Sequence, residues 1–348
     1  MTLTLEVDIV LGTFNMAVIR RISDQSVRPP ASVSSSIPLK PVQEVVLSEV
    51  QNVLDEFLSL YKDISLPPLP HLIRPLLNKD WLKFDTNYDE DIQEREKLSH
   101  TTLNTVFHSS HGSKEGEKAV LDLILQEYPE CFQRKGNIIH NLINGKSYDL
   151  NNSNLSPFFV ASQLVQEDLC LLKRGESDKY TFVSGAVYFP TAWHLEEKID
   201  QGITKVHENI DISKELQDKV EGYLKHIKVD KPGIRFNPLI FEDPTLYQPS
   251  RILPVINEPY TQENIGNRLW LRTERQTLRR LPGNEDYILF TIRVYNQPLN
   301  IVERYPNVAK ILRERYKSYP PNQQPAYIDP LLAYLQKTAS LIPRHEQI

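Results

Sequence analysis

Leu269-Trp270-Leu271-Arg272-Thr273-Glu274-Arg275-Gln276-Thr277-Leu278-Arg279-Arg280-Leu281-Pro282 is followed by Gly283-Asn284 and then by Tyr287-Ile288-Leu289-Phe290-Thr291-Ile292-Arg293-Val294-Tyr295. Two runs joined by a Pro-Gly-Asn turn, each alternating with a period of two, predict a β-hairpin. An ordinary hairpin does not load its first strand with four arginines and a glutamate. In an extended chain Arg272, Glu274, Gln276 and Arg280 project from one face, and Thr273, Arg275, Thr277 and Arg279 from the other. On a buried face, an arginine and a glutamate two residues apart form a polarised pocket, the guanidinium facing negative charge and the carboxylate holding a cation. On a solvated face the same residues form only cross-strand ion pairs, each worth roughly 0.2–1 kcal/mol.

Working outward, Ile234 to Glu242 reads as a further strand, as do Tyr180-Thr181-Phe182 and Ala186-Val187-Tyr188-Phe189. Helical spacing runs from Val42 to Tyr61, from Glu115 to Glu127, and through Leu216, Val220, Leu224 and Ile227, with more helices starting near Pro306 and Pro330. Ser156-Pro157 opens another helix, expected to bury Phe158, Val160, Leu164, Leu169 and Leu172. Asp80 to Glu96 reads as acidic and broken. Ser23 to Pro41 is a Ser/Pro-rich linker, so residues 1–40 are an expected N-terminal appendage and 41–348 the folded domain. Helices, then a strand-rich centre, then helices again predict an α+β fold rather than alternating βαβ units.

The 348 residues suffice for one large or two ordinary domains, with 40% hydrophobic and 24% charged residues. A net charge of −5 argues against nucleic-acid or anionic-membrane partners, which select a basic field. No apolar window approaches the roughly 18 residues of a membrane span, and the N-terminus lacks the basic start of a secretory signal. Two isolated cysteines, Cys131 and Cys170, make neither a disulfide framework nor an iron–sulfur site and fit a reducing, cytoplasmic setting. The nine histidines show no HExxH spacing, which argues against a zinc hydrolase, and GxSxG, GxxxxGK[ST] and GxGxxG are missing. A single histidine can still ligate a haem iron.

Taken together, several segments resemble the haem-dependent oxidative N-demethylase family, α-subunit type. They are Gln166-Glu167-Asp168-Leu169, Val187-Tyr188-Phe189-Pro190-Thr191-Ala192-Trp193, Glu197-Lys198, Val206-His207, Leu271 to Pro282 and Phe290-Thr291-Ile292-Arg293. The resemblance implies a haem b, with its iron, enclosed by a PAS-like five-stranded antiparallel sheet and flanking helices. It implies His207 as the iron ligand and places Trp193, Lys198, Gln276, Arg280 and Arg293 around the cofactor. Arg272, Glu274 and Arg275 match the polar strand positions of the catalytic side, with Arg272 as donor toward O₂ and Glu274 as partner of a substrate ammonium. The implied reaction is O₂-dependent oxidation of a small amine, with electrons from a separate flavin and iron–sulfur reductase. A haem-PAS gas or redox sensor and a haem-free binding protein are the alternatives. The chain departs from the family pattern at His207-Glu208-Asn209-Ile210, which lacks a Pro-Val-Pro-like turn, at Arg235-Phe236-Asn237-Pro238 in place of Arg-x-Asn-Trp, and at Asp200 in place of glycine.

Overall fold

The computed structural model of the protein describes residues 52–60, 73–76, 80–176, 178–206, 214–253 and 258–341. Residues 1–40, the start of the first expected helix and His207 lie outside the described residues. In chain order the elements begin with α1 (Asn52–Leu60), β1 (Arg74–Pro75), α2 (Tyr88–Thr101), α3 (Leu103–Val106), β2 (Phe107–Ser109) and α4 (Lys114–Glu127). A small meander, β3 (Phe132–Lys135), β4 (Ile138–Asn141) and β5 (Ser147–Asp149), precedes α5 (Pro157–Leu164), β6 (Asp168–Arg174) and β7 (Tyr180–Ala186). Then come α6 (Ile203–Val206), α7 (Lys214–His226), β8 (Gly233–Phe241), α8 (Ile265–Arg268), β9 (Trp270–Arg280), β10 (Tyr287–Pro298), α9 (Pro306–Lys317) and α10 (Ile328–Ala339). Among the described residues, no helix is long and apolar enough to cross a membrane.

The predicted hairpin is the centre of the molecule. Strands β9 and β10 pair antiparallel from Arg280↔Ile288 to Trp270↔Pro298 without a register break. Their turn closes with Leu281 N donating to Tyr287 O at 3.0 Å, and Gly283 takes the left-handed conformation (φ +69) that a residue without a Cβ adopts at least cost. Strand β8 adds to the other edge of β9, and β6 to the other edge of β10. The resulting antiparallel sheet has the order β1-β8-β9-β10-β6-β7-β2, seven strands where five were implied. One irregularity falls between Leu171 and Leu172 in the β6–β7 pairing, and β9 itself is regular throughout. The fold class is therefore α+β, a large antiparallel sheet with flanking helices.

Three sequence expectations change. Leu169 and Leu172 belong to β6, because α5 ends at Leu164 and a short apolar run cannot by itself distinguish a buried strand from a helix. Ser156 does cap α5 as expected, its Oγ accepting from Phe159 N at 3.1 Å. The segment expected to be broken contains the fourteen-residue helix α2, whose acidic first turn, Asp89, Glu90 and Asp91, complements the helix dipole. Its helical period escapes the sequence because Asp91 and Arg95 occupy buried positions beside Tyr88, Ile92 and Leu98. The residues of 187–189 run past the end of β7, where the backbone N–H groups of Tyr188 and Phe189 donate to the Asp168 carboxylate at 2.9 and 3.0 Å.

Two apolar cores flank the sheet. One gathers α4, α5, β6, β7 and the buried side of α7 around Phe158, Leu171, Phe182 and Leu289. The other joins α1, α9 and α10 to β8 and β9 through Phe57, Phe236, Leu271, Leu312 and Leu335. Between them lies a buried ionic seam: Arg293 Nη2 meets Asp85 Oδ2 and Asp91 Oδ2, each at 2.7 Å, and Arg95 Nη2 meets Asp168 Oδ1 at 2.8 Å. Removing one partner of such a buried pair leaves uncompensated charge in the interior. Arg293→Met is expected to lower the unfolding free energy by about 3–5 kcal/mol, read as a shifted urea midpoint, because Asp85 and Asp91 would lose their shared cation.

Candidate functional site

The side chains of β9 divide between two unlike environments. On one face stand Thr273, Arg275, Thr277 and Arg279, covered by α1, α4 and the 80–85 segment. Arg275 makes a two-pronged pair with Glu56, 3.0 Å to each carboxylate oxygen, and also donates to Asp80 O. Arg279 makes the same kind of pair with Glu127 and lies over the Trp81 ring. This face is sealed: Thr273, Arg275, Thr277 and Arg293 are each 0–1% exposed. No β9 side chain from Arg272 to Arg280 is solvated, so the reading of an exposed strand with weak surface pairs does not hold.

The opposite face carries Arg272, Glu274, Gln276, Leu278 and Arg280, and by register Arg235 and Asn237 of β8, Phe290, Ile292 and Val294 of β10, and Cys170 of β6. It is covered by the segment from Phe189 to α6, by α7 and by the 243–248 loop. Two glycines permit this approach. A Cβ on Gly185 would meet Leu195, and one on Gly233 would meet the Tyr223 hydroxyl of α7 at 2.1 Å. On this face Gln276 is 4% exposed, Glu274 5% and Ile292 7%, and Phe290 is half-buried. Apolar and aromatic side chains thus stand beside a polar cluster.

Two arginines frame that cluster. Arg280 points its Nε at Ile227 O (2.7 Å) and its Nη2 at Leu224 O (2.7 Å) and Lys225 O (3.3 Å), so its charge neutralises the carbonyl end of α7 and ties that helix to the sheet. Arg272 donates Nε to Thr191 Oγ1 (2.9 Å), Nη1 to Thr245 O (3.2 Å), and Nη2 to Phe189 O (2.9 Å), Pro190 O (3.1 Å) and Leu246 O (2.9 Å). Burial draws its pKa down to about 10 against the pull of Glu274 and Asp168, so it remains a cation at neutral pH. All of its donor nitrogens serve the loops that cover the site.

Between the two arginines sits the Glu274 carboxylate. Its Oε2 accepts from Asn237 Nδ2 at 2.9 Å and from Gln276 Nε2 at 2.7 Å. The two amide oxygens, Asn237 Oδ1 and Gln276 Oε1, are buried without a hydrogen-bond partner. Each such orphaned acceptor costs on the order of 1–3 kcal/mol unless something donates to it. The cluster is thus a concentrated acceptor surface, with two acceptor oxygens left unserved.

The structure thus brings Arg272, Glu274, Gln276 and Arg280 to one face, under the segment that carries buried Trp193 and Lys198. It puts Arg275 and Arg293 on the other face, in ion pairs. Arg235 and Asn237, marked in the sequence only as part of a departure from the family pattern and given no role, join this face, as the alternation of Ile234 to Glu242 implies. Among the described residues no group of three or more His, Cys, Asp or Glu side chains could hold a metal ion.

The fold and this face define an α+β protein with a buried, acceptor-rich site against a central antiparallel sheet. The family described as haem-dependent oxidative N-demethylase, alpha subunit-like, matches residues 72–327, and the chain belongs to it. No curated protein matches the chain.

Strain lies at the edge of the site. Ala192, next to Thr191 and Trp193, holds φ +56, a left-handed conformation that costs a residue with a Cβ roughly 1–2 kcal/mol. Asp200 holds φ +59 and accepts from Ser110 Oγ at 2.5 Å. Ala192→Gly is expected to change stability by about +1 kcal/mol, measured as a raised melting temperature. Asp200→Gly should raise it less, because it also removes the bond to Ser110.

Proposed function

We propose that this chain is the haem-carrying subunit of an oxidative N-demethylase-like enzyme, with its site on the face of the central sheet that carries Glu274. The observation that carries the reading is the buried Glu274 carboxylate, held by two amides beside an apolar floor, in a chain of a haem-dependent family. A PAS-like fold with an enclosed haem b belongs to the same proposal, as do a small amine and O₂ as substrates. So does a separate flavin and iron–sulfur reductase. The two cysteines of this sequence are fewer than the four thiolates that an all-cysteine cluster needs.

The residues present fit a haem. Phe290, Ile292, Leu278 and Cys170 offer an apolar surface, and Arg235 and Lys198 are buried cations of the charge that the carboxylates of a porphyrin edge would need. His207, one residue past α6 in the sequence, would ligate the haem iron, and Trp193 would help to hold the cofactor. When bound, the haem supplies one-electron and O₂ chemistry.

The chain's own groups do the rest. Glu274 pairs with the ammonium of the substrate and orients it, and the burial of the Glu274 cluster excludes water. Arg272 holds the Phe189–Thr191 and Thr245–Leu246 loops closed over the site and keeps positive charge close to it. Arg280 keeps the C-terminal end of α7 seated on the sheet. Arg275 and Arg293 contribute by holding the sheet from behind. Overall, an N-methylamine, O₂, two electrons and two protons give the demethylated amine, formaldehyde and water.

An ultraviolet–visible spectrum of the purified chain tests the first part: a Soret band is expected, and His207→Ala should shift it or abolish haem retention. Unchanged haem content and Soret position in that variant would remove His207 from the role. Glu274→Gln is expected to weaken amine binding about 10–100-fold, the size of a lost charged hydrogen bond, with amine-dependent formaldehyde release falling in parallel.

A further inference from the structure

We infer that Asp168 is a positioning residue for the candidate site: its carboxylate, paired with Arg95, fixes the path of the 188–193 segment over the face that carries Glu274. The positioning is a property of the chain alone, and its bearing on a bound haem rests on the proposed function.

Asp168 closes the run Gln166-Glu167-Asp168, to which the proposed function assigns nothing. Register sets Asp168, Ile292, Gln276 and Arg235 in one row across β6, β10, β9 and β8, on the Glu274 side of the sheet. The carboxylate serves two peptide groups just past the end of β7: Tyr188 N donates to Oδ1 at 2.9 Å and Phe189 N to Oδ2 at 3.0 Å. Arg95 Nη2 donates to the same Oδ1 at 2.8 Å and to Gln166 O at 2.9 Å. Its guanidinium also lies 4.7 Å from the centre of the Tyr188 ring and 4.9 Å from that of Phe189. One ion pair therefore grips two consecutive residues by backbone and by ring.

The next residues are held from the other side by Arg272. Its Nη2 donates to Phe189 O at 2.9 Å and to Pro190 O at 3.1 Å, and its Nε to Thr191 Oγ1 at 2.9 Å. Phe189 is thus clamped between a carboxylate on its N–H and a guanidinium on its carbonyl. Ala192 N then donates to Gln248 O at 2.8 Å, and Trp193 follows. The charges alternate along this line, Arg95, Asp168, Arg272, Glu274, and all four are buried. Asp168→Asn keeps an acceptor for one of the two N–H groups, sets an amide N–H against the other, and leaves Arg95 without its counter-charge. Arg272 has only donors to offer and does not replace the lost acceptor.

Hydrogen–deuterium exchange of the full chain, read peptide by peptide by mass spectrometry, tests this. In Asp168→Asn the amides of 187–193 are expected to exchange about 10–100-fold faster, the size of a lost hydrogen bond to a charged group, while those of α10 keep their wild-type rates. If that variant does not fold, Arg95→Lys carries the test: it keeps a cation beside Asp168 but loses the fork and the stacking on both rings, and a smaller acceleration confined to 187–193 is expected. Uniform acceleration along the chain, or unchanged rates at 187–193, would overturn the positioning role, because a pair that only stabilises the fold acts through global unfolding. In the haem-loaded chain the released segment is expected to shift the Soret band, and a released segment with an unmoved band would overturn the bearing on the site. A wild-type chain with no Soret band would remove the proposed function, and the exchange rates would still decide the positioning.

Discussion

A guanidinium buried inside a protein keeps its charge and must be surrounded by acceptors. That requirement organises this molecule. Strand β9 lies inside the sheet, paired on both sides and covered on both faces, so each of its arginines draws in a different part of the chain. Arg272 gathers the loops at 189–191 and 245–246, Arg275 takes α1 through Glu56, Arg279 takes α4 through Glu127, and Arg280 takes the carbonyl end of α7. On β10, Arg293 takes α2 through Asp91. The elements around the sheet are thus placed by ionic and hydrogen-bonding demand as well as by apolar burial.

The two faces answer that demand differently. Behind the sheet each arginine meets a carboxylate, and the packing closes to near-zero exposure. In front, the arginines are satisfied by backbone carbonyls at the margins, which leaves the centre to Glu274, Asn237 and Gln276, and these satisfy one another only in part. Arginine–carboxylate pairs behind and a carboxylate held by amides in front separate support from candidate site. The strained Ala192 lies on the front side, in the loop that Arg272 holds, where the surrounding bonds can sustain an unfavourable backbone.

Much of this was legible before the structure. The alternation of Leu269 to Pro282 and Tyr287 to Tyr295 is strong because the strand period is two and the turn chemistry agrees with it. The same alternation assigns Arg272, Glu274, Gln276 and Arg280 to one face. Helix α2 was hidden because Asp91 and Arg95 stand at core positions, where a pattern of apolar residues cannot register them. Asn237 was marked only as part of a departure from the family pattern, and its partner became visible when the register set it against Glu274. Arg275 and Arg293 look like site residues by composition, and only their distant partners show which way their charge is spent.

By itself, the sequence determined the hairpin, the two-faced division of its charges, the α+β order of elements and the family to which the chain belongs, because these rest on local periodicity and on motifs contiguous along the chain. Only the tertiary structure decided that the charged strand is buried, which of its arginines meet carboxylates and which meet carbonyls, and that Asn237 joins Glu274 and Gln276. Those outcomes depend on pairings between residues tens to hundreds of positions apart, such as Glu274 with Asn237 or Arg275 with Glu56. Local pattern carries no information about such a pairing, since any arginine is satisfied equally well by carboxylate, carbonyl or water until the fold chooses among them.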